Sequence, residues 1–165
     1  MTPVTARVAE TSADIAAAYA VRSRVFVDGQ RVPVEIERDG ADAAAVHVVG
    51  LLDGTVVGAG RLVDRRDGVG VIGRLAVLPA ARRHGVATAV LRELEAAAVE
   101  RGVRRLDLHA QLSARAFWDR HGYTAYGAEF VEAGIRHVAM RRVLAGGPSG
   151  PGGPSGPGGP SGPGG

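Results

Sequence analysis

Between Asp67 and Val90 the chain reads DGVGVIGRLAVLPAARRHGVATAV: an apolar strand-like run, a proline, a short basic loop and the start of a long amphipathic pattern. No other stretch constrains the fold as much, because it holds two glycine patterns and each is able to cradle a phosphate. The first is G-x-G-x-x-G at Gly68, Gly70 and Gly73. A dinucleotide fingerprint needs a strand before it and a helix opening inside it. Here a turn precedes Gly68, a strand-like run follows Gly73, and Pro79 ends that run. These glycines instead suit a hairpin turn and close backbone approach within a strand. The second pattern is R-x-x-G-x-A at Arg82, Gly85 and Ala87. A strand over residues 72–78 feeds the loop, and Gly85 opens the long helix. The first N–H groups of a helix lack partners inside it, and its dipole favours negative charge there. A pyrophosphate fits such an end. Gly85 removes a side chain at the point of approach, Ala87 is nearly as small, and Arg82 and Arg83 add positive charge. No Gly-Lys-Ser/Thr follows, which excludes a nucleoside triphosphatase loop. On spacing alone, an ordinary helix start remains the alternative.

The rest of the chain supplies the frame for this unit. Residues 4–9 read as a strand. Ser12 is placed to cap a helix carrying Ile15, Ala18, Tyr19, Arg22, Val25 and Phe26. Residues 28–43 are polar and irregular, with carboxylates at Glu35, Glu37 and Asp39. Strands over 46–52 and 55–63 flank the hairpin signal Asp53-Gly54, and a third runs over 69–78. The helix after Gly85 gathers Val86, Val90, Leu91, Leu94, Ala97 and Ala98 on one face and stops at Gly102. A strand over 104–110 follows. Next comes a short helix capped by Ser113, with Phe117 and Trp118 on one stripe, and then two strands around Ala133-Gly134. The order β-α-loop-β-β-β-α-β-α-β-β predicts an α/β (α+β) domain with a mixed sheet and helices on its faces. It is not the strict alternation of a dinucleotide fold.

Composition separates this domain from its tail. Residues 146–165 repeat GGPSGP three times and end in GG, with no charge and no large apolar side chain. Such a segment cannot offset the entropy of ordering, so residues 145–165 are expected to be a disordered tether. The glycine triplet period from Gly147 is that of collagen, but six triplets are too few to predict a triple helix. Residues 1–144 then form one domain of ordinary size. The chain has no cysteine, which excludes disulfides and thiolate chemistry. It has no apolar signal core and no run of 18 apolar residues, so the expectation is a cytoplasmic protein with no membrane partner. All 20 basic residues are arginine and the net charge is +3. With aromatics at 4% and no basic recognition helix, nucleic acid is not an expected partner. Five scattered histidines show no metal-ligand spacing, so no metal site is expected.

The segment GRLAVLPAARRHGVATAVLRELE resembles the acetyl-coenzyme A motif of the GNAT superfamily of N-acetyltransferases: a strand ending in V-x-P, then R/Q-x-x-G-x-G/A on a helix. VRSRVFVDGQRVPVEIERDG and AEFVEAGIRHVAM resemble the ElaA-like branch, and the likeness spans roughly residues 4–143. The resemblance implies a mostly antiparallel central sheet flanked by helices, with acetyl-CoA as acyl donor. It also implies an N-acetyltransferase acting on a primary amine of a small molecule or peptide, by direct attack in a ternary complex. Leu75, Ala76 and Val77 would offer backbone groups to the pantetheine arm. Arg82, Arg83, His84, Gly85, Val86, Ala87 and Thr88 would hold the pyrophosphate. Gln111 falls where many relatives carry a cofactor-touching asparagine, and Ser113 and Ala114 begin the helix beside the thioester. A homodimer is left open.

The implied chemistry is attack of an amine on a thioester. A lysine-like ammonium with a pKa near 10.4 is about one part in a thousand neutral at pH 7. A base or water relay must help offset about 4–5 kcal/mol of deprotonation. A backbone N–H at Val77 would meet the oxyanion. Relatives often carry a glutamate in the central strand and a tyrosine in the short helix; this chain has Gly73 and Trp118 there. Indole does not supply a proton at neutral pH, so Trp118 reads as core or pocket wall. Tyr123 and Tyr126 are candidate acids, or else sheet residues. His109 is a candidate relay, or else a core histidine. Glu129 and His137 are candidates for the acceptor pocket, where that branch carries similar residues. Glu35, Glu37 and Asp39 are expected either to draw in a cationic amine or to form a solvated surface. The two missing side chains keep a second reading alive, a non-catalytic acyl-CoA-binding module. A third has the triplet tail drive assembly of a scaffold.

Overall fold

A computed structural model describes residues 2–144. The expected disorder of residues 145–165, and any role of their triplet repeat, lie outside the described residues. Seven strands form one sheet in the order β1-β2-β3-β4-β5-β7-β6. They are β1 (Val4–Val8), β2 (Val46–Leu52), β3 (Thr55–Asp64), β4 (Val69–Val77), β5 (Arg105–Gln111), β6 (Thr124–Glu132) and β7 (Ile135–Val143). Every neighbouring pair is antiparallel except β4 and β5. That parallel step needs a crossover, and helix α3 (Val86–Glu100) supplies it. Two two-residue hairpins form where their turn signals stand. Asp53 (φ 50°) and Gly54 (φ 80°) join β2 to β3, and Ala133 (φ 53°) and Gly134 (φ 77°) join β7 to β6.

Helix α3 packs its apolar stripe on one face of the sheet. Val86, Val90, Leu91 and Leu94 meet Leu62, Ile72, Leu106 and Leu108 in the main core. Three glycines let it sit close. A Cβ on Gly50 or Gly58 would stand 2.7 Å from a Val86 methyl, and one on Gly60 would stand 2.8 Å from a Val90 methyl. Any larger residue at these positions pushes the helix off the sheet, a constraint that glycine alone relieves.

The opposite face is only half covered. Helix α1 (Ser12–Arg22) packs there on β2 and β3, joining Ala18 and Val21 to Val49, Leu51, Ala59 and Ala76. Its cap is Thr11 rather than the expected Ser12. Thr11 has the extended backbone a cap requires, and its hydroxyl accepts from the Asp14 N–H at 3.0 Å. The helix continues as a π-helical stretch, Ser23–Gly29, which brings Phe26 and the following Gln30 to the edge of a cleft. Residues 28–43, expected to be irregular, contain a short helix α2 (Val34–Glu37) and a 3-10 turn (Asp42–Ala44). Ser113 lies in a 3-10 turn, and the helix α4 (Arg115–Arg120) that follows has no side-chain cap. The face of β4, β5, β7 and β6 beyond α1 is left open as the floor of the cleft.

Candidate active site

The cleft begins where β4 and β5 part. Their parallel pairing covers Val69–Ile72 against Arg105–Leu108 and then stops, although β4 runs on to Val77 and β5 to Gln111. A wedge opens between them, with Leu75, Ala76 and Val77 along one side. The Leu78 N–H donates to Val57 O at 2.8 Å. Antiparallel alternation therefore turns the Val77 N–H and C=O away from β3 and into the wedge. The Arg82 Nε–H, donating to Val77 O at 3.1 Å, marks that direction.

At the end of the wedge the N-terminus of α3 is bare. Gly85 occupies the cap position at φ 86°, and no side chain bonds the first-turn N–H groups. Nothing stands within 4 Å of where a Gly85 Cβ would be. Arg83 also holds a positive φ of 69°, and Arg82, Arg83 and His84 are exposed around the opening. These groups fit a diphosphate: free donors, a positive dipole end, exposed arginine side chains and no Cβ in the way. Of the residues expected at the cofactor, Leu75, Ala76, Val77, Arg82, Ala87 and Gln111 line the cleft. Val86 turns its side chain into the core, which leaves only its backbone for a ligand. The Thr88 hydroxyl lies 3.2 Å from His121 Nε2. Gln111 pairs its amide with Gln30, giving a bond of 2.9 Å and receiving one of 3.3 Å, which ties the end of β5 to the loop across the cleft.

The cleft encloses about 1030 Å³, room for an extended thiol arm and an acceptor together. Strand register defines its floor. Arg61 on β3 pairs with Gly73 on β4. Asp107, His109 and Gln111 on β5 oppose Arg141, Ala139 and His137 on β7. Tyr126 and Phe130 on β6 continue the same face. One position on this floor is empty of side chain: a Cβ on Gly73 would meet only Arg61 Nε, at 3.8 Å.

Beside that gap lies a buried ion cluster. Arg22 and Glu37 each expose about 1% of their side chains. Arg22 donates to Glu37 Oε2 at 2.6 Å and to both Asp42 oxygens at 2.8 and 3.0 Å. Arg61 grips Asp39 through two donors at 2.7 and 2.9 Å and reaches Asp42 at 2.9 Å. Arg74 has a left-handed backbone (φ 54°) at a bulge in β4. It donates to the carbonyls of Glu37 and Ile36 and to Asp39. These bonds hold a conformation that costs a non-glycine residue about 1 kcal/mol or more. The Arg61 guanidinium holds the Asp39 carboxyl down to about 2. Burial opposes ionisation of Asp42, yet Arg22 and Arg61 keep it below the usual carboxylate range. Burial and the neighbouring Arg61 push Arg74 below the usual arginine value.

This geometry sorts the remaining expectations. Glu37 is no solvated lure for an amine, since Arg22 and Arg38 take its oxygens and burial would make a free charge there costly. Asp39 is tied to Arg61 and Arg74. Glu35 is exposed and outside the cleft lining. Glu129 is exposed and ion-paired with Arg136, also outside it. His137 is buried in the cleft wall, donates from Nδ1 to Ile135 O at 2.7 Å and stacks on Phe130. His109 lines the floor with Nδ1 2.9 Å from Glu132 Oε1, and its Nε2 makes no hydrogen bond among the described residues. Tyr126 lines the floor beneath the Arg141 guanidinium. Tyr123 does not: it is buried against Trp118, its hydroxyl donates to Glu95 at 2.8 Å, and burial plus the Glu95 charge push its ionisation well up. Trp118 forms part of the wall.

Arg61, Arg74, Glu132 and Gln30 were not picked out by sequence reasoning. For the two arginines a signal existed: each interrupts an otherwise apolar strand. For Glu132 and Gln30, 23 and 81 residues from their partners, there was none. Among the described residues no group of three or more histidines and carboxylates is placed to hold a metal, and no helix is long and apolar enough to cross a membrane.

A family model described as an acetyltransferase (GNAT) domain matches residues 11–144. The chain is 37% identical over 137 residues to the uncharacterized N-acetyltransferase YjcF of Bacillus subtilis, covering 82% of this chain and 96% of that one. Its fold is similar to the crystal structure of an acyl-CoA N-acyltransferase from Pseudomonas aeruginosa, with a TM-score of 0.73, 29% identity, and coverage of 87% and 100%. It is also similar to that of Escherichia coli ElaA, with a TM-score of 0.72, 24% identity, and coverage of 86% and 99%. With a splayed parallel strand pair ending at a bare helix N-terminus, and with these matches over nearly the whole described domain, the chain belongs to the GNAT family of acetyltransferases and is an acyltransferase.

Proposed function

We propose that this acyltransferase moves the acetyl group of acetyl-CoA to a primary amine by direct attack within a ternary complex. One observation carries the reading: the wedge between β4 and β5 leads from the bare start of α3 onto a floor where His109 stands one residue past the last β4–β5 pair, across from the side-chain gap at Gly73. Acetyl-CoA would supply an activated acyl carbon there. The first turn of α3, with Arg82 and Arg83, would hold its diphosphate. Leu75, Ala76 and Val77 would flank its arm, and the Val77 N–H would stabilise negative charge on the carbonyl oxygen. Gln111 would exchange its bond to Gln30 for one to the ligand.

The amine must lose a proton, and the strand position used by a glutamate in many relatives offers none here. His109 takes that role. Glu132 accepts from its Nδ1–H, which fixes the tautomer and leaves the Nε2 lone pair for the amine. Tyr126, on the same floor, is the proton donor to the departing thiolate.

Free-thiol release from acetyl-CoA with a panel of amines tests the reading. His109→Ala should lower kcat about a hundredfold and leave acetyl-CoA affinity unchanged. Tight acetyl-CoA binding without thiol release on any amine would make the protein a binding module instead.

A further inference from the structure

We propose that the acceptor amine carries a carboxylate, received beside Gly73 by the guanidinium groups of Arg61 and Arg74. The inference deepens the acetyltransferase reading and rests on it. Charge balance is the first ground. Four arginines, Arg22, Arg38, Arg61 and Arg74, share three carboxylates, Glu37, Asp39 and Asp42. Every one of these carboxylates already accepts from at least two arginines, so none is free to attract an ammonium. The arginines outnumber the carboxylates by one when Arg38, whose side chain is 42% exposed, is counted with them. Burial, Arg61 and Arg22 disfavour the Arg74 charge, against the pull of Asp39 and Glu37. The other cleft acids do not alter this. Asp107 lies between Arg105 and Arg141, and Glu132 is engaged by His109.

Geometry is the second ground. Arg61 Nε makes no hydrogen bond among the described residues, and it faces the empty Gly73 position at 3.8 Å. Arg74, next to Gly73 in the chain, also lines the cleft, and its Nη1 likewise makes no hydrogen bond among the described residues. Two partly unused guanidinium groups therefore border the one place on the floor that lacks a side chain. A carboxylate seated there would gain charge-assisted bonds from both and would neutralise the surplus. A polycation would meet repulsion at the same spot. His109, one residue past the last β4–β5 pair, lies on the same floor as that gap.

Paired acceptors test this. Glycine, leucine, phenylalanine and glutamate are compared with their amides and with putrescine, by thiol release at saturating acetyl-CoA. The acid of the best pair should exceed its amide by about tenfold or more in kcat/KM, chiefly through KM, and putrescine should be poorest. Arg74→Asn, in which asparagine tolerates the left-handed backbone, should shrink the acid-to-amide ratio to about a third. Amides or putrescine matching the acids would overturn the proposal. A second readout does not depend on turnover. N-acetyl amino acids and N-acetyl amino acid amides are titrated into protein saturated with coenzyme A and followed by NMR line broadening. Tighter binding of the acids supports the carboxylate site, and equal binding or none rejects it. If no amine is turned over, the acetyltransferase reading fails while this titration still decides the site.

Discussion

The two ends of the cleft are made differently. The end proposed for the acyl donor is mostly backbone, a strand edge facing a wedge and a helix start with no cap within residues 75–88, beside the Arg82 and Arg83 side chains. The acceptor end is side chains brought from α1, α2, β3, β4, β5 and β6, with separations up to 38 residues in its hydrogen bonds. A backbone site tolerates most substitutions because peptide groups are the same in every residue. A side-chain site depends on each identity and on the packing that aims it. The donor end should therefore fail mainly through glycine, and the acceptor end through loss of any charge.

The largest expected effect is at the acceptor end. Arg22→Met removes the most buried partner of Glu37 and Asp42, leaving them only Arg38, Arg74 and Arg61, and breaking buried pairs in this way costs about 3–5 kcal/mol. The thermal midpoint should fall by about 10 °C. A shift below about 2 °C would show that the cluster is not the rigid support described here. Next comes Gly85→Glu at the donor end. A side chain at φ 86° is strained, and its charge opposes a phosphate at the helix start. Acetyl-CoA binding by calorimetry should weaken about a hundredfold, with the fold intact because Gly85 is exposed. Undiminished affinity would remove the donor end from α3. The smallest effect separates Tyr123 from both ends. Tyr123→Phe loses its bond to Glu95, a stability change of about 1 kcal/mol, while Arg142 still pairs with that carboxylate. Thiol release should be unchanged, and a tenfold fall in kcat would return Tyr123 to the chemistry.

Gly85 and Arg82 show why the uncapped helix start was readable. A helix start that binds a phosphate is made by neighbours in sequence, so its glycine, small residue and arginines recur at set spacings. Glu37 shows the opposite. A polar residue in an irregular stretch reads as surface, yet it lies under α1 because Arg22 waits fifteen positions earlier to neutralise it. Tyr123 and Tyr126, three residues apart, were equivalent candidates. A glycine-ended helix and one strand register sent the first into the core and the second onto the cleft floor.

The order of strands and main helices, both hairpin turns, the apolar stripe of α3 and the glycine that opens it were determined by sequence alone, since each arises from periodicity or backbone preference acting over a few residues. Tertiary structure alone decided the rest: the closeness of α3 to Gly50, Gly58 and Gly60, the Arg22 cluster, the His109–Glu132 pair and the gap at Gly73. Those features depend on which distant side chains come within a few ångströms of one another. No local propensity encodes that distance; it appears only when strands pair in register and helices close over them.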